Sequence, residues 1–304
     1  MKKTYDRAAK ERLLKIATSA SLLVAAILVT IKGIAWFKTG SVAMLGSLLD
    51  SILDAAAAGF NIYFVRRALR PADERYRFGH GKAEPMGGIL QAMLIGGSAL
   101  FLIAESGRRF ITPEMPTNSE LGITIMVISS VIVAGLVVLQ RYVVKRTDSL
   151  IVSGDALHGF GDIMINLGVI VALFVATRFN APFIDPIIGI LLAGILLRGS
   201  WEIAQNAMLQ LMDVEFTPEE RQKIRDVAMG NPKVADLHDL RTRRAGLTSF
   251  IQLHIELDGN MNLVEAHEIA DAVENDIRNE FPDSEVLIHQ DPHGTETITP
   301  FLRA

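Results

Sequence analysis

Asp50 and Asp54 stand one helical turn apart inside an apolar stretch, Leu45-Gly46-Ser47-Leu48-Leu49-Asp50-Ser51-Ile52-Leu53-Asp54-Ala55. Further along, His158 and Asp162 repeat that spacing in a second apolar stretch. Residues at i and i+4 share one face of a helix. Two such faces set side by side offer one imidazole and three carboxylates, a four-ligand cage for a divalent cation. Ionisable groups inside a membrane span are costly, face the bundle interior and mark ion pathways. Few basic residues lie close enough in sequence to neutralise these acids. His158 adds a second property, because an imidazole titrates near pH 6.5. Metal binding needs neutral imidazole and ionised carboxylates, so metal and protons compete for one site. That competition is the chemistry of metal/proton exchange.

The elements that hold these pairs are membrane spans. The chain has 304 residues, half of them hydrophobic, and a mean hydropathy of +0.31. Six apolar segments are long enough to cross a hydrocarbon core, which takes about 20 helical residues. They run Leu13–Phe37, Val42–Val65, Met86–Glu105, Leu121–Val144, Ile151–Thr177 and Phe183–Ala204. The first is longer than a signal-peptide core, so it reads as a retained span, and Met1–Lys15 before it as a polar leader. The second and fifth carry the acidic pairs. Gly87-Gly88 and Gly96-Gly97 in the third span permit close helix approach. Basic residues cluster in the N-terminal segment, in the connection from Arg66 to Lys82, and at Arg141, Lys145 and Arg146. By the positive-inside rule these lie in the cytoplasm, and six spans place both termini there. Asp155 reads either as a cavity-lining acid or as a helix-start residue, the latter favoured. Leu157 either seals one side of the site or faces lipid.

From about Val214 the chain reads as a soluble domain. Thr217 caps a helix that opens with Pro218 and closes a capping box at Glu220. It runs to Met229 and stops at Gly230-Asn231-Pro232. Two strands follow, Val234–Arg243 and Ser249–Leu257, joined by a turn over Arg244–Thr248. The second alternates Phe250, Gln252, His254 and Glu256 against Ile251, Leu253, Ile255 and Leu257. An amphipathic helix over Asn262–Phe281 and a short strand over Glu285–His289 complete an αββαβ order, an α+β two-layer fold. Gly294–Ala304 reads as a loose tail. The division expected is therefore a membrane domain over 1–212 and a cytoplasmic domain over 213–304.

The chain carries no cysteine, so disulfides and thiolate metal sites are excluded. The net charge of −4 without a long basic run argues against nucleic acid as a partner. No His-Glu-x-x-His occurs, and a cage filled by four protein ligands leaves no open position for a catalytic water. An intramembrane metalloenzyme is therefore not expected.

The four-residue membrane site resembles that of the cation diffusion facilitator family of metal/proton antiporters. So do Phe78-Gly79-His80-Gly81-Lys82-Ala83-Glu84, His238-Asp239-Leu240-Arg241, His254, His267 and Ile288-His289-Gln290-Asp291-Pro292. The likeness covers nearly the whole chain and is greatest to the bacterial zinc/iron efflux branch. It implies a homodimer in the inner membrane with a ferredoxin-like cytoplasmic domain. It implies that Asp50, Asp54, His158 and Asp162 form the transport site, with the His typical of zinc- and cadmium-selective members. Asp73 and His80 match two ligands of an interfacial site whose other His falls on Tyr76, a poor ligand. His238, His254, His267, His289 and Asp291 match a cytoplasmic binuclear site. Lys82 resembles a residue that pairs with an acid after the sixth span, here Asp213; a solvated lysine is the plain alternative. The expectation is a transporter that exchanges cytoplasmic Zn²⁺, or Cd²⁺, Fe²⁺ or Co²⁺, for protons. The competing expectation is a membrane-anchored cytoplasmic metal sensor without transport.

Overall fold

The structure, a computed structural model, describes residues 7–39, 42–111, 120–179 and 184–294. Two compact units divide the chain near Met208 and Leu209. The first holds six long helices: α1 Arg7–Thr39, α2 Val42–Ala68, α3 Ala83–Ile111, α4 Glu120–Thr147, α5 Leu150–Phe179 and α6 Ile184–Leu211. The helices outrun their apolar windows because charged flanks continue the same turns. Arg66 and Arg67 extend α2, Arg108 and Arg109 extend α3, and Lys145 and Arg146 extend α4. The polar leader is helical from Arg7, so α1 begins well before its apolar run. Apart from α5, each of these helices is long and apolar enough to span a membrane over its described residues. α5 itself has 30 residues, about 45 Å at ~1.5 Å per residue. Leu23, Val131, Val138 and Leu191 are each more than 60% exposed on these helices. Such apolar faces suit lipid and would be a liability in water.

Small residues set the helix spacing. A Cβ on Gly87 would fall 2.6 Å from Ile151 Cδ1, and one on Gly154 would fall 2.8 Å from Gln91 Cβ. Glycine at both positions therefore lets α3 and α5 approach closely, as small residues do in membranes. Gly88 and Gly96 also sit against neighbouring helices, whereas Gly97 opens onto a cavity.

The second unit is a mixed three-stranded sheet with helices on one face. α7 Pro218–Met229 starts as expected, with the full capping box between Thr217 and Glu220. β1 Asp236–Ala245 and β2 Thr248–Leu257 form an antiparallel hairpin. The turn is tighter than the residues alone suggest: Ala245 pairs with Thr248, which leaves Gly246 and Leu247 at the tip. Gly246 has φ +60°, the left-handed backbone that a two-residue turn demands of its first position. α8 Leu263–Glu280 then returns the chain so that β3 Ser284–Pro292 adds parallel to β2. Ile224, Leu237, Ile251, Ile255, Val273 and Ile277 form the core between sheet and helices. The tail beyond Gly294 lies outside the described residues.

Candidate metal centres

α2 and α5 bring Asp54, His158 and Asp162 together, with one ligand atom from each within 4.8 Å of the others. His158 Nε2 lies 2.8 Å from Asp54 Oδ1, to which it donates, and 3.9 Å from Asp162 Oδ2. One ring nitrogen thus faces two carboxylates, a place that either a proton or a cation can fill. The side chains keep 25%, 25% and 34% exposure, so they remain reachable from the adjoining cavity of about 600 Å³. Asp50 is outside this tight trio. It lines the same cavity one turn before Asp54, so the four-ligand cage is three-quarters assembled with its fourth ligand, a carboxylate, in the wall.

Two features of this region escape a reading of spacing. Lys32, on α1, lines the same cavity, so a basic residue does stand near the acids despite its distance in sequence. Asn166 continues the polar line of α5 one turn beyond Asp162 and donates to Ser130 Oγ at 2.9 Å. Only tertiary packing could reveal the lysine. The asparagine could have been found from its i+4 spacing.

Asp155 lies inside α5, which begins at Leu150, so it is not a helix-start residue. Its Oδ2 accepts from Ser21 Oγ on α1 at 2.5 Å and from Gln140 Nε2 on α4 at 2.6 Å. Both donors belong to buried residues. This carboxylate ties three helices together one turn from His158. Leu157 packs toward α6, where a Cβ on Gly199 would meet its Cδ2 at 2.5 Å. It faces a protein neighbour rather than lipid.

In the connection after α2, His80 Nε2 is 3.4 Å from Asp73 Oδ2. The backbone N–H of Tyr76 donates to Asp73 at 2.7 Å and draws that carboxyl below its usual range. The Tyr76 ring packs on His80 with centroids 4.6 Å apart, and the guanidiniums of Arg67 and Arg75 lie over it. Tyr76 thus serves as a packing platform, and Asp73 with His80 offers two ligands.

The solvent-facing side of the sheet carries the richest cluster. His238, His254 and His289 are register partners across β1, β2 and β3, so three imidazoles stand in one row. Their ring centroids are 5.1 and 4.6 Å apart. Alternation puts Asp291 on the same face, two residues beyond His289. Its Oδ2 lies 2.8 Å from His254 Nδ1 and 3.4 Å from His238 Nε2, while Oδ1 lies 3.2 Å from His289 Nε2. One carboxylate therefore reaches all three rings. His238, His254 and Asp291 form a three-ligand group within 4.8 Å.

A bulge aims this cluster. The register shifts between His238 and Arg241, where Asp239 adopts φ +48°. The extra residue keeps Leu237 and Leu240 both in the core while turning Asp239 toward His254, 3.7 Å from its Nε2. Two residues absent from the expected set also join this face. Glu256 lies 3.4 Å from His238 Nδ1 and accepts from His293 Nδ1 at 2.7 Å. Their signal was available, since Glu256 shares the His254 face and His293 continues the alternation of His289 and Asp291. His267 does not join the cluster within one chain. It sits on α8, which packs on the core face of the sheet, and it pairs with Asp271 at 3.7 Å. Asp213 reaches Arg243 at 3.4 Å.

Comparison with known proteins gives a consistent context. Residues 18–212 match the family model described as the cation efflux transmembrane domain. Residues 216–293 match the cation efflux protein, cytoplasmic domain. The cation-efflux pump FieF of Shewanella oneidensis is 40% identical over 285 residues, 94% of this chain and 96% of its own. The FieF pump of Citrobacter koseri is 42% identical over 296 residues, 96% of this chain and 95% of its own. The metal-bound C-terminal domain of the CzcD transporter from Thermotoga maritima is 31% identical. It covers 27% of this chain and 100% of its own, with a TM-score of 0.25.

Proposed function

The chain belongs to the cation diffusion facilitator family of cation-efflux transporters, and from that footing we propose that it exports Zn²⁺ in exchange for protons. It is a multi-pass membrane transporter and not an enzyme. Membership of an efflux family also sets aside the reading as a sensor without transport.

The observation that carries the proposal is the meeting of Asp54, His158 and Asp162 beside a cavity inside the helix bundle. His158 Nε2 lies 2.8 Å from Asp54 Oδ1, so a proton shared between them would sit at the place where a cation would bind. Zinc arriving there displaces that proton, and a proton returning displaces zinc. An inward proton gradient then drives zinc outward. Imidazole favours zinc and its neighbours over manganese, which prefers oxygen ligands. Asp50, in the cavity wall, is the fourth ligand and closes on the ion when the trio is loaded.

With both termini in the cytoplasm, the cavity faces away from it, because the Lys32 end of α1 and the Asp50 end of α2 lie on the opposite side. Ser21, Gln140 and Asp155 then close the cytoplasmic approach. Residues 1–212 carry the ion, and 213–304 join two copies in the bacterial inner membrane and bind zinc on the sheet. A match to a family model named for dimerisation supports the pairing. With Tyr76 in place of a third ligand, Asp73 and His80 form a weak second site.

Calorimetric titration of the detergent-solubilised protein with zinc separates the two centres. Asp54→Ala removes one class of binding while the cytoplasmic class persists; His254→Ala with Asp291→Ala does the reverse. Loss of both classes from either change alone contradicts two independent centres.

A further inference from the structure

Lys32 is a charged side chain on an apolar helix, with its head inside the bundle. Its Nζ donates to Ser51 Oγ at 2.7 Å and to the Ser47 carbonyl at 3.2 Å. Those two residues flank Asp50 on α2, three positions before it and one after. The ammonium therefore rests beside Asp50, in the wall of the cavity that Asp54, His158 and Asp162 also line. Intramembrane cations are retained where they do work on an ion path. A lysine near a helix end can instead snorkel to the interface. Lys32 does not do that, because two of its three N–H donors hold Ser47 and Ser51, and Ser51 is 1% exposed.

We propose that Lys32 is a fixed counter-charge of the transport cage, which brings the zinc-loaded site to neutrality and so sets how readily the ion leaves. The reasoning is electrostatic and rests on the transport-site reading above. Asp50, Asp54 and Asp162 bring three negative charges, and neutral His158 brings none. A divalent ion leaves the loaded cage one charge negative, and Lys32 cancels that charge. A poorly solvated site penalises net charge, because Coulomb interactions are weakly screened there. Without the lysine, the empty cage would attract a dication more strongly and release it more slowly. The ammonium also has a place to go: Asp50 is its neighbour, so it can pair with that carboxylate once zinc has left. Lys32 acts through the carboxylates and is a positioning residue rather than a ligand.

The test is zinc flux in proteoliposomes for wild type, Lys32→Met, Lys32→Arg and Asp54→Ala, with KM and maximal rate measured separately. Methionine preserves an unbranched apolar stem in the helix, and arginine preserves the charge. Lys32→Met is expected to lower KM by on the order of tenfold and to lower the maximal rate several-fold. Lys32→Arg is expected to stay within about threefold of wild type in both. A purely structural role would lower the rate and leave KM unchanged, which overturns the proposal. Unchanged KM and rate in Lys32→Met overturn it as well. Asp54→Ala guards the premise: if it transports like wild type, the cage reading fails independently of Lys32. Should Lys32→Met not fold, Lys32→Gln gives the same contrast with a polar neutral side chain.

Discussion

A single imidazole nitrogen sits between two carboxylates, and much of the transport chemistry turns on that contact. His158 Nε2 is near both Asp54 and Asp162, so a proton held there would occupy the ion's place. On the proposed mechanism, acidifying the releasing side supplies protons that compete with the metal for this site and eject it. Apparent zinc affinity at this site therefore falls as pH falls, and zinc titrations between pH 8 and 5.5 check the sign. An affinity that rises on acidification contradicts proton competition. Selectivity belongs to the same residue. His158→Asp replaces nitrogen by oxygen, which suits manganese better than zinc. Zinc flux is expected to drop by about tenfold or more while the ratio of manganese to zinc flux rises, measured with both ions under one gradient. Equal losses for both ions would show that His158 does not discriminate.

At the scale of elements, the bulge in β1 and the knot around Asp155 do the positioning. Asp239 adopts a left-handed backbone at φ +48° where the register slips. Glycine tolerates that conformation better than alanine by about 1 kcal/mol. Asp239→Gly should therefore keep the melting temperature of the cytoplasmic unit nearer wild type than Asp239→Ala, as thermal scans of the whole protein read it. The Asp155 knot predicts a different outcome. Gln140→Leu removes one of the two donors to a carboxylate between α1, α4 and α5, at about 1–3 kcal/mol for a buried polar group left short of a partner. Lower thermal stability of the membrane unit with slower flux is expected; unchanged values for both would show that the knot carries no strain of the bundle. These devices also explain what was legible beforehand. The i,i+4 spacing marked Asp54, His158 and Asp162, and strand alternation marked His254, His289 and Asp291, because both patterns are local. The capping box at Thr217 and Glu220 was readable for the same reason. Lys32 beside Asp50 and Ser21 beside Asp155 were not, since each pair meets only when distant helices pack. The bulge at Asp239 was equally hidden, because register is decided by the partner strand. His267 shows the converse limit: it has the right chemistry but lies on the helix layer, away from the three-histidine row.

On the proposed reading the whole molecule joins two candidate metal centres of different kinds. The bundle centre mixes one nitrogen with oxygens beside a cavity, which suits loading and release. The sheet centre gathers three rings around one bridging carboxylate on a well-packed domain, which suits retention. Zinc held at the sheet, as proposed, would stabilise the unit it binds by about 2.7 kcal/mol at a hundredfold excess over its dissociation constant. Chelation should accordingly lower the thermal midpoint of the cytoplasmic unit in wild type and leave His254→Ala/Asp291→Ala unaffected. A chelator shift that persists in the double variant contradicts a stabilising role for this site. Transport itself is decided in the bundle, and one comparison tests it most directly: zinc uptake into proteoliposomes under an imposed pH gradient, wild type against Asp54→Ala. The account predicts that wild type accumulates zinc only while the gradient stands, and that Asp54→Ala carries about a hundredfold less or none. Zinc movement that ignores the gradient, or that survives the loss of Asp54, contradicts proton-driven export through the Asp54–His158–Asp162 cage.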